Sequence, residues 1–135
     1  MEGFIDLSYE TLSDTSNIPD TVGKGWIATE LSESDWTIPV NDEALEEMDQ
    51  MVLLMRNQPL PILLRNVIDF DIIHLRALYY KVKKVCDHGA GFAVIDKLPI
   101  DEYDIDEMLA VYWVLGQLLG TNVAQKWNGT MIYDV

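Results

Sequence analysis

His88-Gly89-Ala90-Gly91-Phe92-Ala93-Val94-Ile95-Asp96-Lys97-Leu98-Pro99 is the stretch on which the fold turns. Phe92 to Ile95 are four apolar residues directly after Gly91. A run this short, closed by a turn at Lys97-Leu98-Pro99, suits a buried strand better than a helix. It offers water no polar side, so it is expected to lie centrally, clasped by the helices on either side of it in the sequence.

Upstream, Leu75, Leu78, Val82 and Val85 line one face of a predicted helix. Asp69 or Asp71 is expected to cap it, and Gly89 to close it in a left-handed conformation. Before it, Gln58-Pro59-Leu60-Pro61 reads as an extended connector, because each proline removes a backbone donor and restricts the residue before it. Further back, Leu45, Met48, Val52 and Met55 recur at helical spacing. Asn41 caps that helix, and Asp42 and Glu43 suit the positive end of its dipole.

Downstream, Asp104 and Glu107 form a capping box for a third helix with an apolar face of Met108, Val111, Tyr112, Leu115 and Leu119, stopped at Gly120. An extended piece at Val123-Ala124-Gln125, a turn at Asn128-Gly129 and an alternating strand from Met131 to Val135 then predict a hairpin. The order helix, helix, strand, helix, hairpin is an α+β arrangement with too few strands to close a sheet. Its unpaired edges call for further strands, or for self-association through them.

A chain of 135 residues can bury one real core, and 49% hydrophobic with 24% charged residues is ordinary for a soluble domain. No apolar run approaches the roughly 20 residues that span a bilayer, and the N-terminus lacks the pattern of a secretory signal, so the cytoplasm is the expected compartment. Cys86 is the only cysteine. It excludes an intramolecular disulfide and a thiolate metal cluster, and is expected to be a reduced thiol in the core. The net charge of −14 is concentrated at the front, where residues 1–50 hold 13 acids against Lys24 alone. Residues 1–24, polar and without a sustained period, are expected to be an acidic, disordered leader, with 25–135 as the folded portion. Lys81, Lys83 and Lys84 lie on one helix with no aromatic residue between them, so nucleic acid is not an expected partner.

Three blocks together resemble the taurine dioxygenase-like (TauD/TfdA) family of iron(II)- and 2-oxoglutarate-dependent dioxygenases. The first runs from Trp26 through Leu31 to Trp36 and on into the capped helix Asn41 to Asp49. The second is His88 to Ile95 with Leu98-Pro99 and Tyr103, similar to the family's Gly-Phe strand and the Leu-Pro turn after it. Lys97 departs from the glycine often found there. The third is Tyr112-Trp113-Val114-Leu115-Gly116, Leu119-Gly120, Val123, Gln125, Gly129 and Val135, similar to the family's next helix and the hairpin after it.

This resemblance implies the N-terminal helices and first strands of a double-stranded β-helix, or jelly roll, with an incomplete barrel. It implies the N-terminal portion of an enzyme that uses iron(II) and 2-oxoglutarate to oxidise a small organic acid. The family's iron is held by a His-x-Asp/Glu pair and a distant histidine. His74 precedes Leu75-Arg76, His88 precedes Gly89-Ala90, and there is no third histidine. The chain alone is therefore expected to bind neither iron nor 2-oxoglutarate and to be inactive. The other reading is a catalytically inactive remnant that serves as a protein-interaction module.

The resemblance also implies a substrate entrance on the hairpin, where Gln125 and Asn128 offer hydrogen bonds, Lys126 attracts a carboxylate or sulfonate, and Trp127 offers an aromatic platform. His74 and His88 are read as structural. Trp26, Trp36 and Trp113 are expected to anchor the core. The pairs Asp104/Asp106 and Glu46/Glu47 have the look of helix-start and solvent residues rather than a general acid and base. No phosphate-binding glycine loop or serine nucleophile motif is present.

Overall fold

Asn41 opens the first helix as its side chain requires, with Oδ1 accepting the Ala44 N–H at 3.3 Å, and α1 runs Asp42–Asn57. This is seen in a computed structural model that describes residues 27–133. The leader reading for residues 1–24, Trp26, and the end of the expected last strand at 134–135 lie outside the described residues. Ala44, Met48, Met51, Val52 and Met55 form the buried face of α1.

The second helix, α2, spans Ile73–His88 and buries Leu75, Leu78, Tyr79 and Val82. Its N-terminus corrects the sequence expectation, because neither Asp69 nor Asp71 caps it. Ile72 stands at the cap position with no side-chain bond, and the acceptor comes from α1. Glu47 Oε1 takes the His74 N–H and Oε2 the Leu75 N–H, each at 2.8 Å. An orphaned helix end is thus satisfied by a neighbouring helix. Gly89 is likewise not left-handed, at φ −111°. Glycine is required there for room, since a Cβ would stand 2.9 Å from the Val85 carbonyl oxygen. The left-handed residue is Gly91, at φ +82°. Cys86, expected in the core, is exposed.

Thr37–Pro39 forms a strand that the sequence did not announce, β1, and it pairs in parallel with β2 at Val94–Asp96, Ile38 opposite Ile95. Of the expected strand Phe92 to Ile95, only Val94 and Ile95 are in β2, and β2 is not central. Val94 is 46% exposed, while on β1 Ile38 is buried. Trp36 and Phe92 meet just before the strands, ring centroids 5.7 Å apart. After β2, Lys97 takes φ +60°. A side chain in the left-handed region costs about 1 kcal/mol, and the Lys97 side chain is 88% exposed with little contact to lose. Lys97→Gly is expected to raise stability by about 1 kcal/mol in denaturant melts. An unchanged or lower midpoint would show that the turn carries no strain.

The third helix, α3, spans Ile105–Gly116, four residues short of the expected stop at Gly120. The Asp104 N–H donates to Glu107 Oε2 at 3.1 Å, as a capping box requires. Glu107 also receives Arg56 Nε at 2.6 Å and a second guanidinium nitrogen at 3.0 Å, fastening the start of α3 to the end of α1. Close by, the Tyr103 hydroxyl donates to the Asp49 carboxylate. Ala110, Val111, Trp113, Val114 and Leu115 are buried, whereas Tyr112 and Leu119, expected on the apolar face, are exposed.

These elements overturn the jelly-roll reading. Among the described residues the architecture is three helices packed on one another with a single pair of three-residue parallel strands. Jelly rolls are built from antiparallel strands, whereas this pair is joined by a crossover that contains α1 and α2. The expected hairpin is present only as its turn. Gln125 N–H reaches the Thr130 carbonyl at 2.8 Å and Gly129 is left-handed, but among the described residues no ladder follows. The core is one cluster drawn chiefly from the three helices, with Ile38, Phe70 and Ile72. Among the described residues no helix is long and apolar enough to cross a membrane.

Candidate functional site

Trp113 and Gln117 fix the end of α3 against the connector that leads into α2. Trp113 Nε1 and Gln117 Nε2 both donate to the Arg65 carbonyl, at 3.2 and 3.0 Å, and Gln117 Oε1 accepts the Val67 N–H at 3.0 Å. The chain then turns back. Asn122 Nδ2 donates to the Trp113 carbonyl at 3.1 Å and lays the last described segment beside α3. A Cβ at Gly116 would meet Asn122 Oδ1 at 3.4 Å, ordinary van der Waals contact, so the approach does not depend on glycine there.

Between α3 and this returning segment is a cavity of about 340 Å³. Tyr112, Trp113, Met131 and Tyr133 give it aromatic and apolar walls, and Asn122 and Gln125 supply amides. At its edge the Lys126 ammonium stands 4.3 Å from the centroid of the Tyr133 ring. Ring electrons stabilise a cation held in this way, and the charge remains available to an incoming anion. An apolar hollow with two amides and one cation is suited to a small molecule with a compact apolar body and an acidic end.

The four entrance residues are not gathered at one place. Gln125 lines the cavity, its Nε2 donating to the Val123 carbonyl at 3.0 Å, and Lys126 bears on it through Tyr133. Trp127 is 99% exposed and outside the lining. Asn128 Oδ1 accepts both the Thr130 N–H, at 3.1 Å, and the Thr130 hydroxyl, at 2.7 Å, so it shapes its own turn. Tyr112, Asn122 and Tyr133 were missed. Tyr112 was assigned to the core face, and the only sequence signal for Asn122 was its place in Gly120-Thr121-Asn122, a stretch suited to a reversing chain.

The histidines are apart from this cavity. His74 Nδ1 lies 2.8 Å from Glu47 Oε1, in the cluster that caps α2, and His88 ends α2. Among the described residues no three of His, Cys, Asp and Glu converge as a metal would need. The residues at the cavity and around His74 do not fit an iron ion. Burial raises the Glu47 carboxyl, but the backbone N–H groups of His74 and Leu75, with the His74 ring, outweigh it and hold the carboxyl below its ordinary value. Burial pushes the Tyr79 phenol up to about 12, with Tyr112 adding to the shift, so neither glutamate nor tyrosine is poised for proton transfer near neutral pH.

No family model matches this chain, and no curated protein matches it.

Proposed function

We propose that this chain is the N-terminal portion of an iron(II)- and 2-oxoglutarate-dependent dioxygenase that oxidises a small organic acid. In this reading it forms one wall of the substrate entrance, and the iron is held by residues not among these 135. The observation that carries it is the cavity beside α3, where Gln125 and the Lys126–Tyr133 pair stand together. Two residues singled out by the resemblance thus meet at a hollow whose chemistry suits an organic acid. The agreement between the three sequence blocks supports the family. The role of the chain's own residues is to bind and orient: Lys126 attracts the acid group, the amides of Asn122 and Gln125 offer directed hydrogen bonds, and the aromatic walls exclude water from the apolar body.

The test is to sequence the transcript through the codon for Val135 and assay its product. The expected frame continues into a His-x-Asp or His-x-Glu motif. Its product converts 2-oxoglutarate to succinate, and Lys126→Glu raises KM for the acid substrate several-fold. A stop codon directly after Val135 would overturn the assignment in favour of a catalytically inactive interaction module.

A further inference from the structure

Acids are absent from two stretches of the sequence, residues 50–68 and residues 108–133. Together these make up a third of the chain and hold none of its 23 acids. The fold brings them side by side, since Trp113 and Gln117 of the second stretch bond to the Arg65 carbonyl of the first. At their junction is a hollow of about 710 Å³, with Leu63, Leu64, Trp113, Gln117, Asn122 and Met131 in its walls. It shares Trp113, Asn122 and Met131 with the cavity beside α3, so the two hollows are neighbours on one face. No acid lines either of them.

The face is also apolar and open. Leu64 and Tyr112 are each 68% exposed, with Leu63, Val123 and Tyr133 exposed beside them. Trp127 stands out from the turn between Gln125 and Thr130. With aromatic side chains offering about 150–250 Å² each, these six present an area of the order of 800 Å². That exceeds the largest apolar patch of a typical monomer, about 300–600 Å², and matches the roughly 800 Å² per partner of a stable interface.

We propose that two copies of the chain meet through this face, each covering the other's hollows. Charge selects the partner. Arg65 is turned towards the Met55 carbonyl at 3.4 Å and Lys126 lies over Tyr133, so the face offers no row of cations to an acidic partner. It fits a surface as apolar and as free of acids as itself, and the same face of a second copy is such a surface. The net charge of −14 opposes contact through acid-bearing surfaces. A face that meets itself gives a closed, two-fold pair. The partner copy then forms the side of the cavity that the described residues leave open. Self-association is thereby moved away from the strand edges, where the sequence placed it; β1 and β2 are only three residues long.

Sedimentation equilibrium of the 135-residue chain tests this. The expected mass is twice the 15.4 kDa of one chain, with a dissociation constant of about 1 μM or tighter. Leu64→Glu and Tyr112→Glu, both at exposed positions, are each expected to raise that constant at least about tenfold while leaving the circular dichroism spectrum unchanged. Ile73→Lys is the control, exposed beside Glu46 and Asp71 and outside this face, and is expected to leave the constant as it is. In 1 M salt, where screening shortens to about 3 Å, the pair is expected to tighten as the net repulsion is screened. A mass of one chain at every concentration would overturn the proposal, and so would open-ended aggregation without a two-chain plateau. A pair indifferent to both glutamate substitutions, or loosened by salt, would overturn it too, by placing the contact elsewhere. None of these outcomes bears on the reading frame beyond Val135, on which the dioxygenase assignment is tested.

Discussion

Val114→Asp is expected to abolish folding, whereas Val94→Asp is expected to melt within about 1 kcal/mol of the parent chain. Both are single valines in apolar stretches, and the difference lies in where the chain puts them. Val114 is fully buried in α3, within the cluster shared by all three helices. A carboxylate there has no partner, so it must protonate or force the core open, at a cost of several kcal/mol. Against a typical stability of about 5–15 kcal/mol, that removes most of what holds the fold. Val94 is 46% exposed on a strand with one neighbour, and Asp there forfeits only strand preference and part of an apolar contact. Denaturant melts of the two variants decide the matter. Similar curves would mean that the core does not run through α3.

Glu47→Ala is expected to cost about 2–3 kcal/mol, a large effect for a residue so near the surface. Its carboxylate accepts two backbone N–H groups of α2, and the His74 ring nitrogen lies against it. Removing it leaves helix-end donors without partners, and bonds to a charged acceptor are the stronger kind. The same cluster gives an acid dependence. Glu47 is held below its ordinary 4.5, so its contribution is full above that value and is lost as pH falls through the lower, folded one. Asp35, Asp87 and Glu107 are lowered as well, by Ser32, Lys83 and Arg56 respectively, so the parent's acid limb is shared. The difference between parent and Glu47→Gln isolates the one group. That gap in stability is expected to be full above the ordinary value of the carboxyl, where Glu47 is ionised, and to close towards pH 3. A gap independent of pH would mean that the charge of Glu47 plays no part.

Elements whose determinants are local were legible in the sequence. Asn41 with the Met48, Val52 and Met55 spacing gave α1, and Asp104 with Glu107 gave the start of α3. Elements fixed by distant partners were not. Nothing near Ile72 reveals that α2 takes its cap from Glu47, twenty-seven residues before His74. Thr37-Ile38-Pro39 is too short to signal a strand, yet it decides that β2 lies at an edge with Val94 half in water. Four apolar residues in a row do not say which side will be covered, and the jelly-roll expectation came from the resemblance of three sequence blocks, which says nothing of how the strands of this chain pair. At the cavity, Gln125 and Lys126 were legible through resemblance. Tyr112 was not, because α3 is apolar on nearly every side and its spacing does not distinguish the covered side from the open one.

The pairing of Thr37 with Val94 closes a loop that contains the whole of α1 and α2. Three residues on each side cannot repay the chain entropy of so long a closure. The ends are delivered to one another by the helices, whose packing fixes where the loop begins and returns. The sheet is thus a dependent of the helix pair, with no persistence of its own. The register of β1 and β2 lasts only while α1 and α2 stay joined.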